Sequence, residues 1–257
     1  MQLVRETFDT RYQVASPTID QCLRDFLARP LYLPGRLKCD DRESTIDMFK
    51  SYAFYHGHSS LSQEGRRLLQ EQQSQSHSQK TAVPQGYQHI FGPDKIPALL
   101  PEFFIFLSYE MTPVASQKFL RSVCLNLEEL CLWLIREDLI DQDEGEEAGS
   151  LCRLAADNLP RAMRALRQIH KLAQAESQEE IRWTAEGESE IYTITRLASR
   201  FVWLESREGE KAGPIEVGEK ARANLELGWE IHCSLIKLHS QWQIIGLGGI
   251  YPFPRQR

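Results

Sequence analysis

The stretch Leu99 to Ile140 constrains the fold more than any other: two apolar segments meet at Thr112-Pro113 and close on an acidic run that begins at Glu137. After the hinge, Phe119, Val123, Leu127, Leu130 and Leu134 recur at helical spacing and fall on one face, which must be buried. Lys118, Arg121, Glu128, Glu129 and Arg136 gather on the other side, the pattern of an amphipathic helix beginning near Pro113 with Thr112 as its cap. Before the hinge, Pro97 and Pro101 interrupt a run rich in Phe and Leu, so regular helix is expected from about Pro101. Leu125, Leu132 and Trp133 are surplus to the buried face. They are either wrapped by neighbouring helices or form a surface for a protein partner or for self-association.

Upstream, Ser16-Pro17 predicts a helix start and Ala28 its end, with a loop enforced by Pro30, Pro34 and Gly35. Ser44 with Asp47, and Ser60 with Gln63, read as capping boxes, and Gly57 as a left-handed stop between their two helices. The second helix is expected to dissolve into the polar tract from Gln70, leaving a mobile loop to about Pro93. Downstream, residues 137–149 read as a solvated acidic loop. Its Gly145 stands fifth from Asp141, which rejects a calcium loop. Further helix is expected from Ser150, restarted at Asn158-Leu-Pro160 and lasting to about Gln174.

From about Ser189 the apolar period falls to two. Strands are predicted over Glu190–Leu197, Arg200–Ser206, Pro214–Val217, Glu230–Leu238 and Trp242–Ile250, with a helical turn at 219–224 and a bulge near Gly246, Gly248 and Gly249. The fold class is therefore α+β: a mainly α-helical domain over 1–176, a linker over 177–188, and a small SH3-like or OB-like β-barrel over 189–257.

Composition narrows the function. A 257-residue chain that is 42% hydrophobic can bury a large core, and a net charge of −6 argues against non-specific attraction to nucleic acid or anionic lipid. With no leader-like or membrane-length apolar run, and six cysteines without a Cys-x-x-Cys pair, a cytoplasmic protein with reduced thiols and no membrane partner is expected. Cys124 and Cys131 share the apolar helix face and read as core. His56 and His58 lack metal-ligand partners, no phosphate loop, dinucleotide fingerprint or nucleophile elbow is present, and no cofactor is expected.

Two surfaces remain. Arg161, Arg164, Arg167 and Lys171 lie opposite Leu166, Ile169 and Ala173, a basic stripe that either is solvated, pairs with the acidic run, or meets phosphates or an acidic protein. In the barrel, Tyr192, Phe201, Trp203, Trp229, Trp242 and Tyr251 exceed the needs of a small core, so some must be partly exposed, either as packing of core and rim or as a surface that stacks bases or clasps a peptide.

The short helix, Thr-Pro hinge and long helix ending Trp-Leu-Ile-Arg-Glu-Asp-Leu-Ile over 99–140 resemble half of the helical core-binding (SAM-like) domain of tyrosine recombinases. The recombinase Arg, His and Tyr signature is absent, so strand transfer is not implied. The ending Gly228-Trp-Glu-Ile-His-Cys-Ser-Leu with Gln241-Trp-Gln-Ile and Gly249-Ile-Tyr-Pro252 resembles small barrels of uncharacterised prokaryotic proteins, which implies fold alone. The expectation is a non-enzymatic interaction or regulatory protein, with a nucleic-acid-binding accessory protein, using the basic helix 160–174 and the barrel, as the alternative.

Overall fold

Where each helix starts is decided by which side chain reaches its free amides. The structure, a computed structural model, describes residues 14–29, 41–78, 86–111, 115–176 and 189–253. Helix α1 (Ile19–Ala28) is capped by Thr18, not by Ser16: its hydroxyl accepts from the Gln21 amide at 3.2 Å while the Gln21 side chain accepts from the Thr18 amide at 2.9 Å. Helix α2 (Arg42–His56) follows Asp41, and Ser44 lies inside its first turn. Gly57 is right-handed, with φ −57°, and continues into a 3₁₀ turn over Gly57–Ser60 instead of stopping the helix. Its glycine serves close approach: a Cβ there would stand 2.7 Å from Cγ of Tyr87.

Helix α3 (Gln63–Ser78) runs through the polar tract expected to be loop. Glutamine, glutamate and arginine are good helix formers, Arg67 pairs with Glu71 one turn on at 2.9 Å, and Leu68 and Leu69 anchor one edge in the core. Ser62 supplies its first side-chain bond, accepting from the Gly65 amide at 3.2 Å, whereas Ser60 donates to the Gly57 carbonyl. Of the loop expected to reach Pro93, residues 79–85 fall outside the described part, and 3₁₀ turns occupy Tyr87–His89 and Pro93–Lys95.

Helix α4 (Ile96–Phe106) begins earlier than Pro101, because Pro97 occupies its first turn, where a missing amide costs nothing. Pro101 is tolerated on the exposed side while Leu99, Leu100, Phe103 and Phe104 bury the other. A π-helical turn follows over Leu107–Met111, and the hinge at Thr112-Pro113 falls outside the described residues. Helix α5 (Gln117–Arg136) starts four residues later than expected from Pro113, with Ser116 accepting from the Phe119 amide at 3.1 Å.

The largest departure is helix α6 (Gln142–Glu176), 35 residues without interruption. The acidic run is solvated, but only 137–141 connect α5 to α6, and from Gln142 the run is helix, not loop. Asp141 accepts from the amide of Asp143 at 2.8 Å, and Asp143 and Glu144 lie in the first turn, where the helix dipole favours negative charge. Asn158 and Pro160 do not restart the helix; both are buried within it. Glu128, expected on a solvated face, is buried with its side chain 2% exposed, and Arg153 of α6 reaches it at 2.7 Å.

Helix α6 belongs to both cores. Ala148, Cys152, Ala155, Ala156, Leu159 and Met163 pack into the helical core with α1, α2, α4 and α5. Ala162, Ala165 and Ile169 pack instead with the barrel residues Val202, Leu204, Ile215 and Ile231. Phe253, beyond the last strand, returns to the helical core beside Phe104 at 5.9 Å.

The barrel is closed, in the order β1 (Glu190–Ala198), β2 (Phe201–Ser206), β3 (Lys211–Glu216), β5 (Gln241–Tyr251), β4 (Glu230–Leu238), with a short helix α7 (Glu219–Arg222) between β3 and β4. A simple meander makes only antiparallel neighbours; here β3 and β5 run parallel, so the connection through α7 crosses over, the OB-like member of the two expected arrangements. Gly248 and Ile245 are the extra residues at two bulges of β5 against β4, as its glycines predict. Gly248 is required by close approach, since a Cβ there would stand 2.4 Å from Nδ1 of His232.

Candidate functional site

Two tight hairpins set the geometry of the barrel's open end. Ser199-Arg200 joins β1 to β2, and His239-Ser240 joins β4 to β5. Both His239 and Ser240 have positive φ, 46° and 70°, the twist that closes a two-residue hairpin. Each hairpin carries a cation facing an aromatic ring across it, three residues from the turn in the first and two in the second. Arg196 lies opposite Trp203 with its guanidinium 4.5 Å from the ring centroid, and Lys237 lies opposite Trp242 at 5.5 Å.

Between the tips lies a cleft of about 300 Å³ lined by Arg200 and Phe201 from the first hairpin, Gln241, Trp242 and Gln243 from the second, Pro214 and Glu216 from β3, and Ile169, Leu172 and Ala173 from α6. Arg200 stacks over Phe201 at 5.3 Å and pairs with Glu216 at 3.1 Å, both charged side chains being about half exposed (53% and 46%). The alternation of β2 explains why Phe201 and Trp203 are available: Val202 and Leu204 take the core positions, so their odd-numbered neighbours point out. Trp242 sits at the barrel's mouth, half-buried against the core. Of the six barrel aromatics, Trp229 and Tyr251 are buried, and Tyr192, Phe201, Trp203 and Trp242 keep part of their surface exposed.

The basic stripe is placed elsewhere than expected. It does not pair with the acidic run at the far end of α6. Arg161 pairs with Glu226 and lies 5.3 Å from the Trp229 ring; Arg164 donates to Asn224 at 2.8 Å and to Gln117 at 2.9 Å; Arg167 donates to the Ala115 carbonyl at 3.0 Å. Three of the four cations therefore tie α6 to the loop before β4 and to the start of α5. Lys171 is exposed.

The surplus apolar residues of α5 divide. Trp133 is 4% exposed and is not a surface residue: it packs on Phe26 at 5.6 Å beneath the Arg29 guanidinium. Leu125 is half-buried against the helical core, and Leu132 is 37% exposed. The smaller cavity beside Trp133, about 160 Å³ and lined by Phe26, Arg29, Arg42 and Glu137, is held by structural bonds. Arg42 donates to the carbonyls of Phe26 and Arg29 at the end of α1, and Arg29 forms a two-pronged pair with Glu137.

Reactive side chains are subdued by burial. Cys124, Cys131 and Cys152 are fully buried between α5 and α6; burial raises the Cys124 thiol, and the bond to Cys131 followed by burial raises that of Cys152. Burial, reinforced by Asp25, pushes Cys22 up to about 11, and burial with Glu190 pushes Cys233 up to about 12. His56 stacks on Tyr52 at 5.3 Å, and among the described residues no group of three His, Cys, Asp or Glu is placed to hold a metal ion. No helix among them is long and apolar enough to cross a membrane.

Arg196, Arg200, Lys237, Gln241 and Gln243 were not singled out by composition or spacing. Their signal lay in hairpin symmetry: 196 with 203 and 237 with 242 are equidistant from their two-residue turns, so each cation must face its ring. Comparison with protein families, with characterised proteins and with solved structures finds no match. The protein is thus defined by its architecture, an α-helical body sharing one long helix with a small closed barrel, and by the aromatic cleft at their junction.

Proposed function

We propose that the protein is a non-enzymatic interaction protein whose binding site is the cleft between the hairpin tips, held by a helical body that fixes the barrel in place. The observation that carries this reading is the pair Phe201 and Trp242, which line one cleft partly exposed, each beneath its own cation, with Trp203 beside Phe201 on the outer face of β2 beneath Arg196. Aromatic rings left wet lose burial energy at about 25 cal/mol per Å² of surface, so two in one cleft and a third beside it favour an occupant that covers them. The nucleic-acid alternative keeps only its barrel half under this reading, because Arg161, Arg164 and Arg167 are engaged within the molecule.

The test compares wild-type protein with Phe201→Ser and Trp242→Ala as affinity baits, with and without nuclease, after matched thermal melts. A partner retained by the wild type and lost by both variants supports the reading. Equal retention by all three baits, or retention by none, refutes it.

A further inference from the structure

We propose that the cleft takes single-stranded nucleic acid, with bases stacked on Phe201 and Trp242 inside it and on Trp203 two residues along the outer face of β2, and phosphates met by Arg196, Arg200 and Lys237; the inference rests on the binding reading above. A single strand offers flat faces at regular intervals on a chain of negative charge. The cleft and the neighbouring face of β2 offer the complement: Arg200 over Phe201 at 5.3 Å and Lys237 over Trp242 at 5.5 Å at the cleft, and Arg196 over Trp203 at 4.5 Å beside Phe201. Inside the cleft, Gln241 and Gln243 bring amides that donate and accept without charge, suited to base edges. The apolar wall of Ile169, Leu172 and Pro214 excludes water from a ring seated there.

Competing occupants fit less well. A peptide adding itself as a strand would need the thinly paired seam between β3 and β5, joined in register at Ile215 and Trp242. That seam holds Gly213 at φ 142° and Pro214, which has no amide to give, so strand addition is blunted. A duplex buries its base faces and is held chiefly by phosphate contacts, and three of the four stripe cations on α6 are occupied. Glu216 restrains Arg200 at 3.1 Å, so phosphate must compete with this carboxylate.

The experiment is fluorescence anisotropy of the full chain with labelled ~12-nucleotide dT, rU and dA strands and the matching duplex, a length within known site sizes for such barrels. Single strands should bind at least about tenfold tighter than duplex, the fold-change of one stacked base. The slope of log affinity against log salt should be no steeper than about −2, since three contacts contribute about 0.7 each on a single strand. Trp203→Ala and Lys237→Gln, both outside the core, should each weaken binding at least about threefold, and Glu216→Gln should tighten it by releasing Arg200. Absence of single-strand binding at low salt, equal affinity for duplex, or no effect of Trp203→Ala and Lys237→Gln overturns the inference. If strands fail to bind while a nuclease-resistant protein partner is lost in Trp242→Ala, the single-strand assignment falls and the binding cleft stands; if neither is found, both fall.

Discussion

Replacing Gly145 and Gly149 by alanine, one at a time, distinguishes an α6 that begins at Gln142 from an acidic loop over the same residues. At Gly149, inside the helix, an added Cβ meets nothing within 4 Å. Alanine there gains helix propensity without strain and should stabilise by about 0.5–1 kcal/mol. At Gly145 the added Cβ would lie 2.4 Å from Cγ1 and 2.6 Å from Cδ1 of Ile135, and 3.0 Å from Cδ1 of Ile140. Overpacking of this kind costs about 1–3 kcal/mol, and Gly145 sits in the first turn, where propensity returns least, so a net loss of about 1–2 kcal/mol is expected. The two variants should differ by about 1.5–3 kcal/mol with opposite signs, read by urea denaturation and as Tm shifts of about 2–4 °C per kcal/mol. A solvated loop would give two small effects of one sign, and that result would refute the helical assignment and the α5–α6 contact together.

Trp133→Ala should cost about 3–5 kcal/mol in denaturation, whereas Leu132→Glu should cost under about 1 kcal/mol; equal costs would show that Trp133 does not pack beneath Arg29. Ser240→Gly should stabilise by about 1 kcal/mol, because Ser240 sits at φ 70°, where a Cβ is unfavourable; no change in midpoint would contradict the tight turn. Burial raises the thiols of Cys22, to about 11, and Cys233, to about 12, above their ordinary value, so their neutral forms favour the folded state. That contribution is complete below about pH 9 and is lost as pH rises through the folded values, so denaturation midpoints should fall from pH 9 upward; a flat profile from pH 8 to 11 would argue against buried thiols.

The barrel was legible in the sequence because its strands alternate strictly: Phe201, Trp203 and Glu205 point out while Val202, Leu204 and Ser206 point in, and no helix reproduces that period. The start of α6 was hidden because a run of carboxylates reads as solvent-facing whether or not it is helical; what makes it helix is the Asp141 cap and the fit of Gly145 against Ile135, a contact between two helices. The polar tract of α3 misled for a related reason, since glutamine-rich composition fits both loop and exposed helix. Helical spacing puts Arg161, Arg164 and Arg167 on one face, but Ala115, Gln117, Asn224 and Glu226 lie far along the chain, and side-chain spacing carries no information about them. Trp133 and Leu132 are neighbours at the border of the polar face, yet one step around the helix separates a ring beneath Arg29 from a side chain 37% exposed.

The division of labour between stripe and cleft is tested most directly by the fourfold variant Arg161→Gln, Arg164→Gln, Arg167→Gln, Lys171→Gln, measured for thermal stability and for single-strand affinity in one preparation. Loss of the Asn224, Gln117, Ala115 and Glu226 contacts should lower stability by about 2–6 kcal/mol, at roughly 0.5–1.5 kcal/mol for each hydrogen bond, while affinity at a temperature where the variant is folded changes less than about threefold. Unchanged stability together with lost binding and a salt slope flatter by several contacts would place the ligand on the helix and contradict the cleft.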